Sequence, residues 1–158
     1  MIRRWPVRAA GIVALVVALA GCSHLVILHD PLTAPEHNDL GVAYESGGRP
    51  DLAAREYRQA LKLDPKLVRA RVNLGNLEAA AGRWAKAEAH YRLAMRVAPD
   101  DADALNNLAI ALLRQRRGID EARQLAERAV AVGGARDSIY RATLEEVRAA
   151  ASGGTARP

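Results

Sequence analysis

Residues 72–99, VNLGNLEAAAGRWAKAEAHYRLAMRVAP, are the most informative segment of the chain, because their pattern occurs again on both sides of them. Leu74-Gly75 has an earlier counterpart in Leu40-Gly41 and a later one, at the same distance along the chain, in Leu108-Ala109. The same offset relates four further pairs: Ala53 and Ala87, Tyr57 and Tyr91, Ala60 and Ala94, Pro65 and Pro99. A constant period of this size indicates an array of similar units that stack on one another.

The composition favours helices that pack closely. Half of the 158 residues are apolar, yet the chain has no Phe, two Trp and four Tyr. Ala and Leu, which are strong helix formers, supply most of the apolar fraction, whereas strands are enriched in β-branched and aromatic residues. The sequence therefore predicts an all-α protein.

The recurring small residues are expected where two helices of one unit cross, because a larger side chain would force the helices apart. These are Gly41, Gly75 and Ala109, with Ala53 and Ala87 facing them. Leu residues of the same columns fill the seam between helices, and Tyr57 and Tyr91 add bulk between units. Gly47-Gly48, Gly82 and Gly118 are expected in the turns between helices, where a positive φ favours glycine. The predicted helices are 36–46, 51–63, 67–80, 85–97, 102–115, 119–132 and 137–150.

These columns resemble the tetratricopeptide repeat (TPR). The positions that match are Leu40, Gly41, Tyr44, Ala53, Tyr57, Ala60 and Pro65 in the first unit; Leu74, Gly75, Ala87, Tyr91, Ala94 and Pro99 in the second; and Leu108, Ala109, Ala122 and Ala129 in the third. The resemblance implies a right-handed superhelical solenoid of three helix-turn-helix repeats over residues 36–135, with units 34–67, 68–101 and 102–135. A capping helix over 136–151 would follow, and residues 152–158 are expected to be disordered.

The third unit departs from the family pattern. It has one extra residue in the turn near Arg117-Gly118, Ala126 in place of the aromatic residue, and Gly134 in place of proline. In the last predicted helix, Ile139, Tyr140, Leu144 and Val147 occur at helical spacing. We expect them to cover the end of the stack, which would otherwise expose apolar surface.

The segment at residues 1–21 is typical of a secretory signal peptide. Arg3, Arg4 and Arg8 precede an apolar segment at residues 9–20, which is of signal-peptide length and short for a membrane-spanning helix. These three arginines, with no acidic residue among them, account for part of the formal charge of +5. The rest of the chain mixes both signs without a basic run, so nucleic-acid binding is not predicted.

Cys22, the only cysteine, follows Leu19-Ala20-Gly21, and this motif resembles the lipobox of bacterial lipoproteins. The resemblance implies cleavage before Cys22, lipidation of its thiol and attachment to a membrane. Because Ser23 rather than Asp follows, it also implies the outer membrane, with the protein facing the periplasm. Residues 22–35 would form a tether. The alternatives are a plain signal peptide with a chance cysteine, or an uncleaved anchor helix.

The sequence gives no support for catalysis. The histidines His24, His29, His37 and His90 have no nucleophile or carboxylate at a recognisable catalytic spacing. Neither a phosphate-binding loop nor metal-ligand spacing is present, so we expect no enzyme activity, no cofactor, no metal and no small-molecule substrate.

Binding of a protein segment is the function that the resemblance implies. The first helix of each unit would line a concave groove, with candidate contacts at Asn38, Val42, Asn73, Asn76, Asn106, Asn107 and Ile110. An amide both donates and accepts hydrogen bonds, so a row of asparagines suits an extended peptide backbone. Some of these asparagines could instead bond neighbouring helices. Family members that clamp a C-terminal carboxylate use two Asn with Lys and Arg; here only Asn73 matches, and Asn38, Val42, Asp103 and Asn107 occupy the other places.

The functional expectation is a membrane-anchored scaffold or adaptor that serves in assembly of a bacterial envelope complex. Its partner would be a protein segment of unknown identity. Two alternatives stay open: an accessory subunit of a separate envelope enzyme such as a cysteine peptidase, and an oligomerisation module.

Overall fold

A computed structural model describes residues 14–19, 22–27 and 31–153. The chain divides into two compact units, residues 1–32 and 33–158. The first unit contains strands β1 (Ala14–Leu19) and β2 (Cys22–Ile27). The helices of the second are α1 (Ala34–Ser46), α2 (Pro50–Leu63), α3 (Val68–Ala80), α4 (Trp84–Val97), α5 (Ala102–Arg114), α6 (Ile119–Val132) and α7 (Asp137–Gly153).

The two strands lie in the segment that we interpreted as a leader and tether, and they were not predicted. They pair antiparallel, with Ala14 opposite Ile27 and Leu19 opposite Cys22. At least half of the residues in each strand are Val, Leu or Ile, and the β-branched Val and Ile favour extended backbone. Residues 1–13, 20–21 and 28–30 of the predicted signal peptide and tether lie outside the described residues.

The unit from Thr33 onward is the predicted all-α solenoid. Helices α1 and α2, α3 and α4, and α5 and α6 form three successive hairpins, and α7 packs on both α5 and α6. The predicted bounds of the first six helices agree closely with the structure. The last helix is longer than predicted, because Ser152 and Gly153 are helical rather than disordered. Residues 154–158 of the predicted tail lie outside the described part of the chain.

Glycine terminates the first helix of two units in the way that the sequence predicts. Gly48 and Gly82 adopt φ of +69° and +72°, a left-handed conformation that is strained for other residues. Gly47 differs from the prediction, since it caps α1 with φ of −81°. The longer turn of the third unit has two left-handed residues, Arg116 and Gly118, with φ of 53° and 58°.

The tyrosines of the repeat lie against the glycines of their own unit, and we had expected them only between units. A Cβ added to Gly75 would overlap the ring of Tyr91 in the same unit, and Gly41 faces Tyr57 in the same way. The tyrosines therefore fill the crossing within a unit as well as the seam to the next, where Tyr57 joins Leu74 in one apolar cluster. The atoms nearest to an added Cβ at either glycine belong to these rings.

The cap packs through three of its four predicted residues. Tyr140, Leu144 and Val147 are buried with the core of the second and third units, whereas Ile139 is 52% exposed and does not contribute. Among the described helices, none combines the length and the apolarity needed to cross a bilayer.

Candidate functional site

First helices of the repeats line an open cavity of about 440 Å³. Its walls come from α1, α3 and α5, with Asp101 just before α5 and Arg136 in the turn before α7. The lining residues are Asn38, Asp39, Val42, Arg69, Val72, Asn73, Asn76, Asp101, Asp103 and Arg136. The structure thus brings four of the seven predicted contact residues, namely Asn38, Val42, Asn73 and Asn76, to one surface.

A second, smaller cavity of about 240 Å³ lies next to the first. Its walls combine α3 and α5 with the beginning and middle of α4, and it is lined by Asn76, Ala79, Ala80, Trp84, Tyr91, Asn107 and Ile110. Asn107 and Ile110, also predicted contact residues, are therefore here. Asn76 lines both cavities and joins them.

Several asparagines bond neighbouring first helices to each other. Nδ2 of Asn73 on α3 donates to Oδ1 of Asn38 on α1 over 3.0 Å. Nδ2 of Asn107 on α5 donates to Oδ1 of Asn76 on α3 over 2.9 Å. These bonds fix the spacing of the helices that form the groove, and they also fix which atoms of each amide point away from a bonded neighbour.

Asn106 is the one predicted contact residue that the structure places elsewhere. It is 2% exposed and lines neither cavity described above. Its Nδ2 donates to Oδ1 of Asn107 over 3.1 Å, and its Oδ1 is buried. The reason is geometric: its position on α5 faces the packed interior, next to the position that reaches the groove.

Most charged side chains that line the first cavity are already hydrogen-bonded to other groups of the protein. The carboxylate of Asp103 accepts from Nη1 of Arg136 over 3.1 Å and from the hydroxyl of Tyr140 over 2.9 Å. Burial and the neighbouring Asp103 raise the pKa of Tyr140 to about 12, so this hydroxyl remains a donor at neutral pH. Asp101 caps α5 by accepting from the amide N–H of Ala104 over 2.8 Å. The turn before the cap helix and Tyr140 on that helix therefore meet Asp103 at one end of the groove.

Two polar contacts outside the groove were missed by sequence reasoning. Nδ1 of the buried His37 lies 2.7 Å from Oε2 of Glu56, which joins α1 to α2. Glu88, only 6% exposed, accepts from Arg92, Gln115 and Arg117, and so joins α4 to the turn after α5. The sequence did not indicate either contact, because most of the partners are far apart along the chain. Arg92 is the exception, since it lies one helical turn from Glu88.

The described residues contain no group of three or more His, Cys, Asp or Glu that could hold a metal ion. His90 lies half-buried on α4, and burial lowers the pKa of its imidazole.

Family comparisons agree with the observed repeats. Two models described as tetratricopeptide repeat match the chain, one at residues 34–67 and the other at residues 67–133. Together they span more than half of the chain and include all six helices of the three hairpins. No curated protein sequence matches the chain significantly.

Solved TPR domains have the same fold. The first TPR of Spaghetti (RPAP3), in a structure described as bound to HSP90 peptide SRMEEVD, has a TM-score of 0.70 at 20% identity and covers 78% of this chain and 96% of that one. The Sgt2 TPR domain from Aspergillus fumigatus gives 0.70 at 22% identity, with 79% and 84% covered. The first TPR domain of human RPAP3 gives 0.71 at 20% identity, with 81% and 100% covered. The chain belongs to the tetratricopeptide-repeat family.

Proposed function

We propose that this protein is a non-catalytic adaptor that binds an extended segment of a partner protein in the groove of its first helices. The main support for this proposal is the cavity of about 440 Å³, which is lined by amide, apolar and charged side chains from three successive repeats. A surface built from the same position of several units suits a ligand that is itself long and repetitive, and a polypeptide backbone meets that description.

The groove differs in chemistry from one that clamps an acidic C-terminus. The peptide in the Spaghetti structure, SRMEEVD, has three acidic residues among its last four. In this chain only Asn73 matches the clamp, and its other places hold Asn38, Val42, Asp103 and Asn107. The Lys and Arg that would neutralise a terminal carboxylate are therefore missing from those places. We therefore propose an internal segment, bound through its backbone and apolar side chains, as the ligand.

We further propose that Cys22 is lipidated and anchors the protein in the bacterial envelope. The support is the sequence Leu19-Ala20-Gly21-Cys22 behind an arginine-containing apolar leader. Diacylglycerol on the thiol together with acylation of the new amine would give a stable anchor, since a single acyl chain binds a bilayer only marginally. An adaptor held at the membrane would serve assembly of an envelope complex.

Co-purification from native membranes tests the groove. The full-length chain is to carry an affinity tag, and partners are to be crosslinked before extraction. Val42, 44% exposed in the groove, is replaced in the variant Val42→Arg, and the matched control is Leu63→Arg at the end of α2, where Leu63 is 51% exposed. We expect the partner to be lost with Val42→Arg and retained with Leu63→Arg. Equal recovery with both variants would contradict groove binding.

Membrane fractionation tests the anchor separately. We expect Cys22→Ser to move the protein from the membrane fraction to the soluble fraction, or to leave an unprocessed leader that mass spectrometry detects as added mass at the N-terminus. Metabolic labelling with a radioactive fatty acid should be lost at the same time. Unchanged labelling of the variant would show that Cys22 is not the lipidation site.

A further inference from the structure

The side-chain amide of Asn76 lies where the two cavities of the groove meet. Its Oδ1 accepts from the hydroxyl of Tyr91 over 2.9 Å and from Nδ2 of Asn107 over 2.9 Å. A carbonyl oxygen has two lone pairs, and both are used here. The amide of Asn107 is oriented in turn, because its own Oδ1 accepts from Asn106.

This chain of bonds leaves Nδ2 of Asn76 as the group available to a ligand. Within residues 31–153 no atom accepts a hydrogen bond from it, so both of its N–H bonds remain for the groove. Burial raises the pKa of Tyr91, which keeps its hydroxyl protonated and able to donate to Oδ1. Asn76 is therefore held as a donor toward the groove.

Asn73, just under one helical turn earlier on α3, presents a hydrogen-bond acceptor instead of a donor. Its Nδ2 donates to Asn38, and its Oδ1 accepts from no residue in 31–153. A fixed donor at Asn76 and an acceptor at Asn73 match a polypeptide in extended conformation, which offers a C=O and an N–H in alternation along its length.

The second cavity has a different character, because Ala79, Ala80, Trp84 and Ile110 supply most of its wall. Its volume of about 240 Å³ falls below the roughly 300–1,000 Å³ of cavities that enclose whole drug-sized ligands. The space is large enough for an aliphatic side chain, and it is adjacent to the Asn76 donor.

We propose that the second cavity is a subsite for one aliphatic side chain of the bound segment, and that Nδ2 of Asn76 donates to the main-chain carbonyl beside that side chain. Tyr91 is part of the cavity wall and also acts as a positioning residue, since its hydroxyl orients the Asn76 amide. This inference rests on the proposed function and specifies the residue class that the groove selects.

The probe is N-acetyl-leucine N-methylamide, which carries one aliphatic side chain between two amide groups. It is titrated into the full-length chain in detergent micelles, with 15N in Asn and Trp only, so that the spectrum reports five asparagines and two tryptophans. We expect saturable shifts of the Asn76 side-chain amide and the Trp84 indole. N-acetyl-alanine N-methylamide, which lacks the larger side chain, should bind at least fivefold more weakly, as expected for loss of about 1 kcal/mol or more of apolar burial.

Tyr91→Phe tests the positioning role, with Tyr57→Phe as the matched control. Both changes remove a buried hydroxyl and keep the ring against its glycine, but the hydroxyl of Tyr57 donates to Glu45 rather than to an asparagine. We expect Tyr91→Phe to weaken the leucine probe about fivefold, the effect of one hydrogen bond, and Tyr57→Phe to leave it unchanged.

Equal binding of the two probes, shifts confined to residues other than Asn76 and Trp84, or equal effects of the two tyrosine variants would overturn the inference. If Val42→Arg abolishes capture of the partner while the leucine probe does not bind, the proposed groove is supported and the proposed subsite is wrong. If both tests fail, the proposed function fails with it.

Discussion

At the scale of single residues, the two glycine–tyrosine contacts explain why the repeat columns have the residue types that they have. Gly41 and Gly75 each lie against a buried ring, Tyr57 and Tyr91 respectively. In the third unit both partners change together: Ala109 replaces the glycine and Ala126 replaces the tyrosine, and both are fully buried. A methyl group is tolerated at this crossing only where the ring is absent.

Gly75→Ala should therefore destabilise the fold. The added Cβ would lie 2.8 Å from Cδ1 of Tyr91, and the buried ring cannot move away without displacing the core. Overpacking of this kind costs about 1–3 kcal/mol of unfolding free energy. Urea denaturation followed by circular dichroism measures the change.

Gly153→Ala is the control, because an added Cβ at Gly153 meets nothing within 4 Å. We expect its denaturation midpoint to equal or slightly exceed that of the parent chain. In the double variant Gly75→Ala/Tyr91→Ala, the two losses should not add, since the pair then reproduces the third unit. Fully additive losses would show that the ring and the glycine do not oppose each other.

Sequence reasoning succeeded for residues whose role depends on size and failed where it depends on orientation. The constant period located Gly75, Tyr91 and their counterparts because each position must hold a residue of one size. Asn106 and Asn107 are adjacent and chemically identical, yet one is buried and the other lines a cavity. Which of the two is buried depends on the rotation of α5 about its axis. The residue types in α5 do not define that rotation precisely enough to distinguish adjacent positions.

At the scale of the helices, Glu88 joins the second unit to the third. Its carboxylate on α4 accepts from Arg92 on the same helix and from Gln115 and Arg117 in the turn after α5. Arg92 also forms a bidentate pair with Glu121 at the start of α6, with distances of 2.7 and 3.0 Å. This cluster holds the longer turn of the third unit against its neighbour.

Protonation of this cluster should destabilise the protein. Burial alone would raise the pKa of Glu88, but hydrogen bonds from Gln115 and Arg92 and the charge of Arg117 outweigh it and hold the pKa below its usual 4.5. A carboxyl whose pKa is lower in the folded chain stabilises the fold above its unfolded pKa, and this contribution is lost as pH falls through the folded pKa. We expect the free energy of unfolding to decline below about pH 4.5.

Glu88→Gln isolates the contribution of this residue. It should cost about 1.5–3 kcal/mol at pH 7, the value of a hydrogen-bonded charged group, and it should flatten the decline at acid pH. Chemical denaturation at a series of pH values measures both effects. Glu145→Gln, on the exposed face of α7, is the control and should change neither. An unaltered acid profile for Glu88→Gln would contradict this account of the cluster.

At the scale of the whole helical unit, stacking places the first helices side by side and closes the array with α7. The cap contributes to the groove as well as to the core, because Arg136 and Tyr140 both bond Asp103 at its rim. The number of repeats and the position of the cap were predictable from the period. The cavities were not, since their shape depends on bonds such as Asn107 to Asn76 that join different repeats. The identity of a partner could not be predicted from the sequence either, since none of its motifs is specific to one partner.

Site-specific photocrosslinking can show whether the first helices bind a partner segment, as we propose. A benzophenone amino acid is placed at Val42 in the groove or at Leu63 outside it, and the full-length chain is irradiated in native membranes. We expect a crosslinked product from position 42 that maps to one contiguous segment of one protein, and none from position 63. Crosslinks from position 63 alone, or equal crosslinks from both positions to many proteins, would contradict it.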